Sequence, residues 1–357
     1  MKIAVYTIAL NEEKNVDAFM NCLKNEADAV YVTDTGSSDG TVQALRDHGA
    51  HVQTAIIKPW RFDTPRNISL AFVPEDVDVV VCIDLDEVLT PGWRAAVESV
   101  WTSQTTRLRY QYAWSHNEDG SPGVTFWYDK IHKRKGYRWV KPVHEILQFY
   151  GEEEVQTFTN GFMLHHYPDQ DKSRGSYLPL LELATQEEPG DDRSSHYLGR
   201  EYMFYQRYDE AIAELKRHLA LPTALWKAER AASMRYLARC YTGGGDHTEA
   251  KSWALRACAE SPEDREPWYE LALSTFKAPN PDWHMVLFAC NQALTILERP
   301  ATYICEPAAW GSEIYDLLAL ACWNTSNKQA AAAAGLQAVK LSPNDQRLIA
   351  NLSFYQG

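Results

Sequence analysis

Short apolar runs bounded by polar turns alternate with amphipathic stretches through the first half of the chain. Residues 2–8 predict a strand, 16–23 a helix, 29–33 a second strand and 42–48 a second helix. Residues 51–57 continue as a third strand, 65–72 as a helix and 77–83 as a fourth strand. That order implies a parallel sheet with right-handed crossovers. Farther on, a helix reaches to about residue 101. Residues 107–115 and 124–131 then alternate like strands on either side of the turn at 117–123, which predicts a hairpin laid over the sheet face.

From about residue 193 the period becomes helical, with small residues at packing positions. Tyr197, Leu198, Gly199 and Tyr202, followed by Tyr208, Ala211 and Pro222, resemble one tetratricopeptide repeat. Tyr236, Leu237, Ala238, Ala250, Ala254, Ala257 and Pro262 repeat the pattern, and further copies begin at Trp268 and Leu318. Pro222 and Pro262 lie 40 residues apart, against a usual repeat of about 34, so the repeats are irregular. Two domains are expected, 1–185 and 186–357. Stacked helix pairs leave a concave surface, expected to take a peptide or protein acceptor or a second copy of the chain as a homodimer, or else to act as a buttress.

Composition narrows the setting. At 357 residues with 45% hydrophobic content, the chain can fill two cores. No apolar run is long enough to cross a bilayer, and residues 1–5 lead directly into strand-like sequence, so a cytoplasmic protein with no membrane partner is expected. Seven cysteines without CxxC spacing fit reduced core thiols. A net charge of -13 argues against nonspecific coating of nucleic acid. One local basic strip carries Lys130, Lys133, Arg134, Lys135, Arg138 and Lys141 among Trp127, Tyr128, Tyr137 and Trp139, residue types suited to phosphates and bases.

The candidate chemistry gathers at strand ends. Five apolar residues, 79–83, stop at Asp84, Asp86 and Glu87. In an open α/β sheet ligands bind beyond the carboxyl ends of the strands, and alternation would put Asp84 and Asp86 on one face. Two such carboxylates repel each other unless a divalent cation joins them, and that cation usually completes its shell with substrate phosphates. Asn11, Glu12 and Asp34 end the first two strands, and Asp34 is expected to accept from a ribose or base. Asp39, before Gly40 and Thr41, reads as a turn or helix cap. No P-loop or GxGxxG fingerprint is present. The acidic end of the first strand also disfavours a nucleotidyltransferase, which would need a basic loop there.

The segments at 7–13, 33–41, 65–67 and 84–87, in that order, resemble family 2 glycosyltransferases. The resemblance implies a GT-A fold, an α/β Rossmann-like mixed sheet, and inverting transfer from a nucleotide-diphospho-sugar, expected to carry UDP. It would set Asn11, Glu13 and Asp34 around the nucleotide, Arg66 beside the diphosphate, and Asp84 and Asp86 on Mn2+ or Mg2+. Val143, His144 and Glu145 are similar to a segment of relatives with helical-repeat tails, among them peptide S-glycosyltransferases. Glu145 is then the expected general base, or else a surface partner of Lys141. Trp139 would stack on the sugar or acceptor, or belong to the core. His165 or His166 would join the metal shell; alternation places them on opposite faces and leaves the choice open. Lys172 and Arg174 would reach a diphosphate or lie in a solvated loop. The acceptor is a hydroxyl or thiol of a peptide, protein or glycan, or a hydroxymethylated DNA base as in bacteriophage enzymes. The reading from another class is a non-catalytic, repeat-based binding module.

Overall fold

Apolar strands that alternate with amphipathic helices bury both faces of one sheet. The computed structural model describes residues 1–117, 119–169, 175 and 177–356. It divides into two units, Met1–Leu180 with Ala301–Tyr303 and Leu181–Pro300 with Ile304–Gly357. The first boundary thus lies between Leu180 and Leu181, inside a helix, rather than at 185/186.

The first unit runs β1 (Ile3–Ala9), α1 (Val16–Leu23), β2 (Ala29–Asp34), α2 (Thr41–Asp47), β3 (His51–Thr54), α3 (Asp63–Phe72) and β4 (Val79–Cys82). It continues with β5 (Glu87–Leu89), α4 (Trp93–Val100), β6 (Arg107–Ala113), β7 (Thr125–Lys133), β8 (Tyr137–Val140), β9 (Ile146–Phe149), β10 (Gln156–His166) and α5 (Tyr177–Glu187). Eight strands form one sheet in the order β3-β2-β1-β4-β7-β6-β10-β5, and β8 and β9 make a separate antiparallel ribbon. β1 to β4 pair in parallel, as their helical crossovers require. β7 runs antiparallel between β4 and β6. Successive residues of β1 serve opposite faces: Val5 packs with Phe19, Val81 and Trp93, and Tyr6 with Leu70, Val80 and Trp139.

The fold class is the one expected, an α/β mixed sheet followed by helical repeats. Two expectations within it are corrected. The strands of the expected hairpin do not lie over the sheet; β4 offers an open edge, and β7 and β6 extend the sheet from it. The short strand β5 was not foreseen; it pairs antiparallel with the end of β10 and fixes Glu87 opposite His166.

The second unit is built of antiparallel helix pairs: α6 (Asp192–Phe204) with α7 (Tyr208–Ala220), and α8 (Lys227–Gly243) with α9 (His247–Glu260). α10 (Arg265–Phe276) pairs with α11 (Trp283–Thr295), α12 (Ser312–Asn324) with α13 (Lys328–Leu341), and α14 (Gln346–Gln356) closes on α13. The second helix of three pairs begins at a polar cap: Asp246, Asp282 and Asn327 each accept the N–H three residues on. Asp282 therefore makes the 279–284 segment a helix-entry turn. Small buried residues let the helices approach, and a Cβ on Gly199 would come within 2.6 Å of Leu215. The prolines at 222 and 262 follow directly after α7 and α9, where they stop the helix. All seven cysteines are free thiols, six of them buried. Among the described residues no helix is long and apolar enough to cross a membrane.

Candidate active site at the carboxyl ends of the central strands

The neighbouring strands β2, β1 and β4 all end on the same side, so the polar turns that follow them lie together. Asn11 adopts a positive φ of 53°, and its side-chain oxygen accepts from the Ser38 N–H at 2.8 Å. Glu13 accepts from the Gly40 N–H at 3.0 Å. A Cβ at Gly40 would collide with this carboxylate, so glycine is what lets the two loops close on each other. Asp39 accepts from the Thr41 and Glu13 N–H groups, as expected of a turn residue. Asp34 is buried, and its carboxylate accepts from the Gly36 and Ser37 N–H groups at 3.1 and 3.2 Å. Asn11 and Glu13 stay exposed at the rim, while Asp34 shapes the turn from inside.

Beyond β4 the geometry departs from simple alternation. The strand stops at Cys82 and the chain turns, the Glu87 N–H donating to the Asp84 carbonyl at 3.0 Å. Asp84 and Asp86 therefore point to different partners, not along one strand face. The Arg66 guanidinium, delivered by the first turns of α3, binds both oxygens of Asp84 at 2.8 and 3.1 Å. Its Nε–H donates to Glu145. Lys130 of β7 approaches Asp84 to 3.7 Å. Burial alone would push the Asp84 carboxyl up, but Arg66 and Lys130 hold it well below the usual carboxylate range. The Asp84 N–H donates to Glu87, whose carboxyl burial pushes up.

Arg66 is only 4% exposed and already grips two carboxylates. The residue that the resemblance sets beside a diphosphate thus has its guanidinium engaged by Asp84 and Glu145. Glu145 is paired with Arg66, not with Lys141. Trp139 is corrected as well. Its indole is 1% exposed and lies beneath Arg66 and Lys130, whose charges sit 5.2 and 5.7 Å from the ring centroid. No face remains for a sugar. The Trp139 Nε1–H donates to the Tyr6 hydroxyl at 2.8 Å, and Tyr6 in turn meets His132 Nε2 at 2.8 Å. His132 Nδ1 lies 2.8 Å from the Lys133 carbonyl. That carbonyl can only accept, so Nδ1 carries the proton and Nε2 accepts from Tyr6.

Burial lowers the His132 pKa to about 3, so the folded protein keeps this imidazole neutral. Below about pH 6.5 the unfolded chain takes up a proton that the folded state refuses, and stability falls by about 1.4 kcal/mol per pH unit toward pH 3 from this group. Replacing His132 with Gln removes that contribution. Urea unfolding of both proteins from pH 6.5 to 4 should show the parent losing its advantage at about that slope; a constant difference would contradict this.

His166 ends β10 on the side of Asp86, with Nε2 at 3.5 Å from its carboxylate and Nδ1 at 3.2 Å from the Trp114 carbonyl. Burial works against its charged form, yet Asp86, Glu87 and the Trp114 carbonyl together raise its pKa. His165 points the other way, where Nδ1 meets His116 Nε2 at 2.9 Å in a stack that includes Tyr167. The four expected metal ligands thus do not converge: Asp86 and His166 are brought together, Asp84 is held by cations, and His165 faces away. One carboxylate and one imidazole fit a cation that takes its other ligands from substrate phosphates. Lys172 and Arg174 lie outside the described residues.

The partners of Lys130 and Glu87 are new: Lys130, expected in a basic strip, faces Asp84, and Glu87, expected only as a third strand-end carboxylate, accepts from the Asp84 N–H. Lys130 carried a signal, a lone cation in the apolar and aromatic part of β7. The basic strip itself does not form one face. Lys130 turns to Asp84, Arg134 donates to the Val73 carbonyl, and Lys135 pairs with Glu75.

No family model matches the chain. Over 133 residues it is 30% identical to an uncharacterized glycosyltransferase of Rickettsia bellii, a match covering 36% of this chain and 44% of the relative. It is 35% identical over 112 residues to an uncharacterized glycosyltransferase of Rickettsia prowazekii, covering 31% and 37%. The chain spans less than half the length of these curated relatives. Similar solved structures include MamA, at 18% identity and a TM-score of 0.38 over 51% of this chain and 99% of that one. A thermophilic tetratricopeptide repeat protein of Thermus thermophilus has the same identity and TM-score over 51% and 90%.

Proposed function

We propose that the first unit is an inverting glycosyltransferase that moves a sugar from a nucleotide-diphospho-sugar, a UDP-sugar, to a hydroxyl or thiol. The observation that carries this reading is Arg66 binding Asp84 and Glu145 together, beside Asp86 and His166, at the ends of β1, β2 and β4. Similarity to glycosyltransferases of two Rickettsia species supports it. Asn11 and Glu13, with Asp34 behind them, border the nucleotide. Asp86 and His166 would hold Mn2+ or Mg2+, which when bound stabilises the charge developing on the departing diphosphate. Glu145 keeps one oxygen on Arg66 and takes the acceptor proton on the other. The acceptor oxygen or sulfur then bonds to the anomeric carbon as the bond to the diphosphate breaks, releasing the nucleoside diphosphate.

Lys130, Arg134 and Lys135 go to separate partners, which takes away the support the strip gave to a DNA-base acceptor, so the acceptor class in this reading is peptide, protein or glycan. The test is manganese-dependent release of nucleoside diphosphate from a panel of sugar nucleotides. The parent should release it from one of them, and Asp86→Asn should be slower by about 10²–10³-fold, the usual loss for one electrostatic stabiliser. A parent that releases none is the result expected of a binding module and would overturn the reading.

A further inference from the structure

The second unit contains a buried donor set that the glycosyltransferase reading does not use. Because α6, α7 and α8 run up, down and up, the first turn of α6, the last turn of α7 and the first turn of α8 share one end of the stack. They bring Asp192, His218 and Glu229 to one point, with a ligand atom from each within 4.8 Å of the others. His218 is wholly buried and Glu229 is 4% exposed, whereas Asp192 is half-buried and keeps a path from solvent.

The imidazole supplies an independent observation. His218 Nε2 faces Glu229 at 3.6 Å and has no hydrogen-bond partner among the described residues. That distance is too long for an N–H···O hydrogen bond. It is close to the separation of about 3.3 Å between two ligands that each lie about 2.0–2.1 Å from a tetrahedral ion. The other ring nitrogen is already oriented: Nδ1 lies 2.9 Å from Ser233 Oγ, which lies 2.7 Å from His196 Nδ1. A metal-binding histidine characteristically has its second nitrogen fixed in this way.

We propose that Asp192, His218 and Glu229 bind a divalent first-row transition-metal ion of the Zn2+ class, joining three helices of the repeat unit. One imidazole and two carboxylates match the ligand preference of such an ion. With the ion on Nε2, His218 Nδ1–H donates to Ser233, and the Ser233 hydroxyl donates to His196 Nδ1. The ion would tie α6 to α7 and α8, a structural role separate from sugar transfer.

The experiment uses the full chain carrying Asp86→Asn, stripped with a chelator and titrated with Co2+. Asp86→Asn removes the carboxylate of the other candidate ion site, so failure of one reading does not affect the other. The expected result is one equivalent of Co2+ with a visible absorption band and a raised Tm. Ser233→Ala, which only loosens the imidazole, should weaken binding by about 10–100-fold. Asp192→Asn, on a partly exposed first turn, should weaken it at least as much, and it remains informative if His218→Gln does not fold. Folded protein that binds no stoichiometric Co2+, or that binds it as tightly with Asp192→Asn or Ser233→Ala added as without them, would overturn the proposal.

Discussion

Arg66→Met should unfold the first unit at much lower urea, with a loss of about 3–5 kcal/mol, the usual cost of removing one partner from a buried charge pair. The side chain is 4% exposed and its guanidinium holds Asp84 and Glu145 at once. Methionine fills much of the volume but leaves the Glu145 carboxylate, whose side chain is 9% exposed, without its cation, and Asp84 with Lys130 at 3.7 Å. The sign of the acid dependence also follows. Asp84 has its pKa lowered by Arg66 and Lys130 despite burial, so its contribution is present above the unfolded value of about 3.9 and is lost as pH falls through the acid range. The variant should show a shallower decline there. Tryptophan fluorescence during urea unfolding reads both effects, and a loss below about 1 kcal/mol would place Arg66 among ordinary surface pairs.

Glu145→Gln should leave the protein folded and able to bind donor while transfer slows by about 10²–10⁴-fold, the range for loss of a general base. Glutamine keeps a carbonyl oxygen to accept from Arg66 Nε–H but cannot take a proton from the acceptor. Binding and chemistry therefore separate. Donor affinity measured by titration should stay near that of the parent, and the fall should appear in kcat. Transfer at the parental rate would show that another group deprotonates the acceptor, with Glu145 left as a positioning partner of Arg66.

Much of this architecture was legible in the pattern of the chain. Apolar runs ending in Asn11, Asp34 and Asp84 placed three polar turns at one edge of a parallel sheet, and Gly199, Pro222 and Pro262 marked helix packing and helix ends in the repeats. What could not be read depended on where partners came from. Alternation predicts a common face for Asp84 and Asp86 only while the backbone remains a strand, and β4 ends two residues before Asp84. The same rule did separate His165 from His166, because β10 stays extended through both. Trp139 looked like a stacking surface because tryptophan serves both roles; Tyr6, 133 residues away in sequence, satisfies its indole N–H and lets it enter the core. Arg66 looked like a phosphate contact for a related reason, since neither carboxylate it binds is near it in the chain. The basic strip was a property of the sequence alone, as neighbours in a strand face opposite sides.

Thermal stabilisation of the purified chain by nucleoside diphosphates and sugar nucleotides, each with and without Mn2+, reads donor binding directly. A site held at 100 times its Kd adds about 2.7 kcal/mol. A glycosyltransferase with its metal on Asp86 should shift with one nucleoside diphosphate, only when Mn2+ is present, and the shift should disappear in Asp86→Asn. A chain unmoved by every nucleotide, with or without the metal, would contradict that reading.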